Sequence, residues 1–590
     1  MPTVTLNRAV FEKLAGKKLT EEKLKDRIAL IGTDLESMDE KEIHVEVFPN
    51  RPDMLSEQGF GRAFKTFIGA AKGLHEFKST PSGYKLFVES SLPKEWPYAV
   101  AFIARGLKLD AEKVREIIQL QEKLGMTLTR KRKKGGIGLY PLEKIKFPIR
   151  FKGIEPKKIR FVPLGFTKEM NALEILEHHP KGKEYGHICK SWKVFSVFVD
   201  DNNEIMSMPP LINSNTVGKI DESTTELFVE GTGPDLNVIT YAINIIAASL
   251  YDMGAKIDTI EMVYDDKKVG KDGKFDVPDM APRKMKIDYE YINRMLGLSL
   301  GKKEINGFLE QMGFGIDKTD NAAALIPAYR ADILHQADLM EDVAIAYGYD
   351  NFTSEIPKVA TIAEEDAEDN FIRHVSDIFV GLGFTEANTY HISNKNELVN
   401  KMDLGEKDAS QVVELANALT EDYNAIRSWM LPNLLRILSE NKHNEFPQNI
   451  FEIGLVARKA DKRKEEKTNA DTINISSLTT EETGVEEFKR LGAVICHNNA
   501  DFTQAKQVIE YLLKLLQLPN EIVPVGHPSF VPGRVGRVIV KQNKNNKEGK
   551  KVAFIGEIHP KVLANFGIET PVVAFELNVS EVFEMLNNGK

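Results

Sequence analysis

Two charged connections do most to limit how this chain can fold. Residues 266–280 are crowded with Lys, Gly and Asp, and Glu364–Asp369 is an acidic run. Neither can be buried, because an ionised side chain without a partner is strongly disfavoured away from water. The segments on either side must therefore close cores of their own. A single core stops growing at roughly 250–300 residues, and the chain has 590, so several domains are required.

Four stretches follow from this division. In 1–90, a helix is predicted over 19–31, and Ile43-His44-Val45-Glu46-Val47 alternates like a half-buried strand. Two prolines enforce a turn at Phe48-Pro49-Asn50-Arg51-Pro52-Asp53, and a helix is predicted over 58–71. In 91–265, strands are predicted at 195–199 and 226–230, and Gly231–Asp235 forms a turn. A helix over 236–253 places Ile239, Ala242, Ile243, Ile246, Ala247 and Leu250 on one stripe. It is the most apolar part of the chain, but Asn237, Thr240, Asn244, Ser249 and Asp252 make it a core helix, not a membrane span. In 281–355, helical patterns lie around 302–312 and 337–347. The last stretch, 360–590, opens on a helix carrying Phe371, Ile372, Val375, Ile378, Phe379 and Leu382. It also holds a charged insertion, 458–487, read as a surface loop, and an amphipathic helix over 505–516. The class expected is α+β and multi-domain.

Composition serves to exclude. Lys+Arg 78 against Asp+Glu 87 gives a net charge of −9, which rules out a wholly basic nucleic-acid binder. Any phosphate contact needs a local patch, and Arg130-Lys131-Arg132-Lys133-Lys134 is the one concentrated basic run. By itself that run is equally well a solvated loop. Two cysteines, Cys189 and Cys496, cannot build a disulfide framework, a zinc site of the Cys-x-x-Cys kind or an iron–sulfur site, and they suit a reducing cytoplasm. Met1–Lys17 lacks a signal-peptide core, so a cytoplasmic location is expected. There is no phosphate-loop motif, no G-x-G-x-x-G after a strand and no H-E-x-x-H.

Two constellations carry chemistry. Asp338, Glu341 and Asp342 stand at i, i+3 and i+4, on one face of a helix, and Asp332 lies where a loop can fold back over them. Clustered carboxylates repel unless a cation sits among them, and hard oxygen ligands select magnesium or calcium. An acidic helix start complementing the helix dipole explains the same spacing. The second constellation is Ser207-Met208-Pro209-Pro210-Leu211-Ile212-Asn213-Ser214-Asn215 with Glu230 and Thr232, which alternate onto one face of a strand. These residues either line a small polar pocket or satisfy one another in a buried network.

Six segments stand in order along the chain: Phe48–Asp53, Met208–Ser214, the 329–349 segment ending Ala346-Tyr347-Gly348-Tyr349, Arg427-Ser428-Trp429-Met430-Leu431-Pro432, Phe451-Glu452-Ile453-Gly454 and Gly556-Glu557-Ile558-His559-Pro560. In this order they closely resemble the beta subunits of phenylalanyl-tRNA synthetases, in their shorter archaeal and eukaryotic cytosolic form. The resemblance spans essentially the whole chain. It implies a subunit of an (αβ)2 heterotetramer that joins phenylalanine to its tRNA using ATP and magnesium. The alpha subunit would hold the synthetic site, and the beta subunit an editing domain that hydrolyses mischarged tyrosine.

The resemblance also implies roles for the stretches: an N-terminal α+β module at 1–90, an editing and tRNA-binding domain at 91–265, a winged-helix-like magnesium-binding module at 281–355, and a class II synthetase-like antiparallel sheet with helices at 360–590. Magnesium would be held by Asp332, Asp338, Glu341 and Asp342. The editing wall would comprise Phe198, Ser207, Glu230 and Thr232, with Glu230 accepting from the tyrosine hydroxyl. Asn213 and the backbone N–H groups at the 234–236 helix start would hold the ester or a water. Arg130, Lys131, Arg132, Lys133 and Lys134 would hold the acceptor end of the tRNA. The last unit runs from its opening helix into Gly383-Phe384-Thr385-Glu386, as in a class II motif, yet no arginine follows Glu576. It is therefore read as a non-catalytic partner and scaffold, with no catalytic residue for synthesis. The N-terminal segment does not resemble an oligonucleotide-binding barrel, so direct anticodon reading is not expected. The competing reading is a stand-alone nucleic-acid-binding or assembly protein built from the same modules.

Overall fold

The computed structural model describes residues 2–320, 322–356, 363–460, 484–541 and 549–587. They form two compact units, Met1–Ile356 and 357–590.

The first unit begins with an antiparallel three-stranded sheet in which Glu42–Val47 lies between Thr3–Asn7 and Thr33–Met38. Its alternation is as predicted: Ile43, Val45 and Val47 are buried. Helices Arg8–Ala15, Glu21–Leu30 and Glu57–Phe67 supply Phe11, Leu24, Ile28, Phe60 and Phe64 to the same core. The turn at 48–53 is fixed by a buried ion pair, in which Arg51 donates two hydrogen bonds to Asp53 at 2.9 and 2.8 Å.

A ten-stranded sheet follows. Its main path runs Ile212–Asn213, Ile205–Met208, Phe195–Val199, Ile149–Ile154, Ser79–Val88, Lys256–Tyr264, Tyr98–Arg105, Glu226–Gly233, Gly136–Pro141. Ala99 to Ala104 are all buried, as a central strand requires. Two differences from the sequence reading stand out. Ser79–Val88, placed there in the N-terminal module, pairs in parallel with Lys256–Tyr264 and Ile149–Ile154 at the middle of this sheet. Within the supposed connection 266–280, Lys274–Val277 is a strand paired with Ile260 to Val263. Helix Leu236–Asp252 packs on the Tyr98–Arg105 and Glu226–Gly233 strands.

The unit ends with a three-stranded sheet, Arg283–Lys286, Ala323–Ile326 and Gly315–Ile316, and helices Tyr289–Leu296, Lys302–Gln311 and Gln336–Tyr347. The first of these helices was not anticipated.

The second unit is a seven-stranded sheet, antiparallel except for Thr385–Glu386, which runs parallel to Gln448–Lys459. One face packs Phe451, Leu491, Phe575 and Ile555 with Phe379 and Leu512 of helices Ala367–Gly381 and Phe502–Leu515. The other face carries Val494, Cys496 and Ala574 with Leu434 and Leu435 of helix Leu431–Glu440. The ends of the charged insertion are strand, reaching Lys459 and resuming at Val485; residues 461–483 lie outside the described residues. Among the described residues, no helix is long and apolar enough to cross a membrane. The architecture is mixed α+β with several modules.

Candidate functional site

A cavity of about 570 Å3 opens where the Gly136–Pro141 strand, the 209–213 segment and the Glu226–Gly233 strand meet. Register builds it. Glu230 stands opposite Gly138, Thr232 opposite Gly136 and Phe228 opposite Tyr140. A side chain at Gly138 would strike Glu230 Oε1 at 2.2 Å and the Tyr140 hydroxyl at 2.7 Å, so glycine there leaves the space those groups use. Of the residues expected in the site, Arg132, Asn213 and Glu230 line the cavity; Phe198, Ser207 and Thr232 do not, although Ser207 pairs with Phe198 and with Asn213 on the neighbouring strands. Phe198 is buried and stacks on Phe151 at 4.5 Å.

The polar groups here are buried and only partly satisfied. The Tyr140 hydroxyl lies 3.3 Å from both Asn213 Oδ1 and Glu230 Oε1, one acceptor at a time for its single proton. Among the described residues, Glu230 Oε2 and Thr232 Oγ1 have no hydrogen-bond partner, while Ser207 Oγ interacts with the Tyr140 hydroxyl. Glu230 and Thr232 are thus not the mutually bonded pair that the sequence allows. Burial pushes the Glu230 carboxyl up to about 8, with the Tyr140 bond opposing in part, and it holds its proton at neutral pH. It was expected as an acceptor; with its proton on, it can also donate.

Two expectations about donors meet the structure differently. Residues 234–236, expected to hold the ester or a water through their N–H groups, are not among those lining the cavity, and the next N–H groups along, of Asn237 and Val238, are bonded to Asp235 Oδ1. The basic run does not act as one patch. Arg132 lines the cavity, donates to the carbonyls of Pro210 and Leu211 at 3.0 and 2.8 Å, and lies over the Tyr185 ring at 4.4 Å. Arg130, Lys131 and Lys133 are exposed, and Lys134 stands 4.0 Å from Asp235. Tyr140 and Gly138 were missed, although Gly136, Gly138 and Tyr140 recur at every second residue and so share a strand face.

The four acidic residues of the third module, with Arg51, border one cavity of about 290 Å3. The donor set is all oxygen and suits a hard cation in kind. Its oxygens are largely engaged. Arg330 donates to both oxygens of Asp332 at 2.8 and 2.7 Å and to Asp342 at 2.7 Å. Asp338 accepts from the N–H groups of Leu334 and His335, both at 2.6 Å, as the third residue of the Gln336–Tyr347 helix. Glu341 is in no ion pair among the described residues, and no three acidic, histidine or cysteine groups there are gathered closely enough to hold a metal. Arg330 itself was unexpected as the cation that balances Asp332 and Asp342.

Comparison with known proteins gives a consistent result over the whole chain. A family model described as the phenylalanyl tRNA synthetase beta chain CLM domain matches residues 353–579, and one described as the tRNA synthetase B5 domain matches 285–349. The phenylalanine–tRNA ligase beta subunit of Thermococcus sibiricus is 37% identical over 583 residues, 98% of each chain. That of Pyrococcus furiosus is 35% identical over 590 residues, 99% of this chain and 100% of its own. Among solved structures, an N-terminal fragment of the phenylalanyl-tRNA synthetase beta subunit from Pyrococcus horikoshii aligns with a TM-score of 0.55 and 33% identity, covering 59% of this chain and 99% of the fragment.

Proposed function

The chain belongs to the family of phenylalanine–tRNA ligase beta subunits, and on that premise we propose that its 570 Å3 cavity hydrolyses tyrosine mischarged onto the tRNA. Synthesis itself, with ATP, falls to an alpha chain in an (αβ)2 assembly. The observation that carries the editing reading is the buried Glu230 carboxyl, which lines the cavity with its Oε2 unpartnered among the described residues. Such a group costs roughly 1–3 kcal/mol until a ligand meets it. A phenolic hydroxyl can take a hydrogen bond from protonated Glu230. Phenylalanine would leave the same oxygen unmet, which is how a site rejects a substrate lacking one hydroxyl.

No histidine or cysteine lines the cavity among the described residues, so the nucleophile proposed is a positioned water, not a side chain. Asn213 is the group proposed to orient it or the ester. Arg130, Lys131, Lys133 and Lys134 remain for the phosphates of the acceptor end, while Arg132 shapes the wall. The test is deacylation of preformed tyrosyl-tRNA by the assembled enzyme carrying Glu230→Ala. At least a tenfold loss is expected with phenylalanine charging retained; unchanged deacylation would remove Glu230 from the site.

For magnesium, Asp332, Asp338, Glu341 and Asp342 are the proposed holders, on the condition that Arg330 gives up Asp332 and Asp342 to the ion and the carboxylates draw together around it. Glu341→Gln is expected to lower the magnesium retained by the assembled enzyme after gel filtration, and equal retention would reject the assignment. The rival reading, a stand-alone assembly protein, predicts that no class II-type chain co-purifies with this one.

A further inference from the structure

In the second unit, strand register lines up an unusual row. Glu452, Gly492, Glu576, Phe554 and Arg537 stand opposite one another across five adjacent strands, Gln448–Lys459, Val485–Cys496, Val572–Asn578, Lys550–Ile558 and Phe530–Val540. Two-residue alternation adds Arg490 and Arg458 to the same face. The opposite face of these strands is apolar core. A cavity of about 280 Å3 is lined by Glu576, Phe554 and Arg537 of this row together with Arg490 and Arg458.

Among the described residues, five cations line it, Arg458, Lys459, Arg490, Arg537 and Lys551, against three carboxylates, Glu486, Glu576 and Glu581, so two positive charges are in excess there. Glu576 is already engaged: Oε1 accepts from Arg490 at 2.9 Å, and Oε2 accepts from the N–H groups of Met430 and Leu431 at 2.8 and 3.2 Å. The Nε groups of Arg490 and Arg537 are buried without a partner among the described residues. Arg537 lies over the Phe554 ring at 4.0 Å and Arg490 over Phe488 at 5.8 Å, so the rings hold both guanidinium planes in place. Burial, reinforced by the charge of Arg490, pushes Arg458 down to about 10, a sign that the cations crowd one another.

Unmet guanidinium donors with a two-charge excess call for a dianion, which a single carboxylate cannot supply and a phosphoryl group can. Trp429 and His527 add flat rings to the same cavity. We propose that this face of the second unit binds the phosphoryl group of a small molecule, either free phosphate or pyrophosphate or a nucleotide. The inference does not depend on the editing reading, which concerns the first unit.

The test is calorimetric titration of the assembled enzyme with inorganic phosphate, pyrophosphate and adenosine monophosphate in separate arms, on the parent and on Arg537→Gln and Lys551→Gln. A binding event is expected that weakens at least tenfold in Arg537→Gln and a few-fold in Lys551→Gln, with phenylalanine charging unchanged. Tighter binding of adenosine monophosphate than of phosphate would identify a nucleotide; the reverse would identify free phosphate or pyrophosphate. Identical isotherms in parent and variants for all three probes would overturn the proposal. So would variants that bind the probes normally but hold the partner chain less tightly, which would mark the face as a contact for an acidic protein segment. Lys551 is exposed, so its variant decides the matter even if Arg537→Gln fails to fold.

Discussion

Glu230 shows how much one buried side chain determines. Its carboxyl is pushed from its ordinary value near 4.5 up to about 8 by burial. Below pH 4.5 the proton is on in folded and unfolded chains alike. As pH rises toward 8, the unfolded chain ionises freely while the folded one cannot, so stability present below 4.5 is lost by about pH 8. Every pH unit across that window removes about 1.4 kcal/mol, so the loss is on the order of several kcal/mol. Glu116 is pushed up to about 8 as well, by burial first and by Glu57 second, so parent and variant must be compared. Glu230→Gln is expected to melt at the parent's temperature near pH 5 and above it at pH 9; a constant difference across that range would count against a buried, protonated Glu230. The candidate pocket was legible here in part. Alternation along one strand put Glu230 and Thr232 on one face, but Tyr140 and Gly138 come from another strand, and their pairing is set by register, which no local pattern contains.

At the scale of elements, the 127–134 turn replaces a simple picture of a basic patch. Arg130, Lys131 and Arg132 all take left-handed backbone angles, with φ of 49, 53 and 61°. That conformation is unfavourable for side chains of this size. Backbone bonds from Lys131 to Met126, Arg132 to Gly125 and Lys134 to Thr129 hold it, and its effect is to aim Arg132 at Pro210 and Leu211 while its neighbours face solvent. Substitutions should therefore separate. Arg132→Ala is expected to cost roughly 1–3 kcal/mol of stability through its lost carbonyl bonds and to slow deacylation at all salt concentrations. Lys133→Ala should leave the melting temperature unchanged and weaken tRNA binding, the more so at low salt. The same response from both variants would refute the division. Helices with strong apolar stripes, such as Leu236–Asp252, were readable because their period is local. Ser79–Val88 was not, because its first half, Ser79-Thr80-Pro81-Ser82-Gly83, is polar and its place comes from distant partners.

For the molecule as a whole, the α+β class was legible, but 266–280 does not separate two cores: it holds a strand of the large sheet, one apolar core runs across it, and the first three stretches form one compact unit whose large sheet takes strands from both sides of residue 90. The second unit bears on synthesis. Its Val572–Asn578 strand passes directly into the Val579–Asn587 helix with no glycine-rich step and no arginine between Glu576 and Lys590. Glu576 anchors the start of helix Leu431–Glu440 and pairs with Arg490, so its charge is already committed within the fold. A phosphoryl group bound over that sheet would meet no such arginine positioned to activate a carboxylate. The purified chain is therefore expected to give no phenylalanine-dependent exchange of pyrophosphate into ATP. Adding the alpha chain should bring both exchange and charging, and that restoration shows the beta chain was folded when it was inactive. Exchange by the beta chain alone would mean that the second unit is a synthetic site after all, and that the missing arginine is replaced by one of the cations over its sheet.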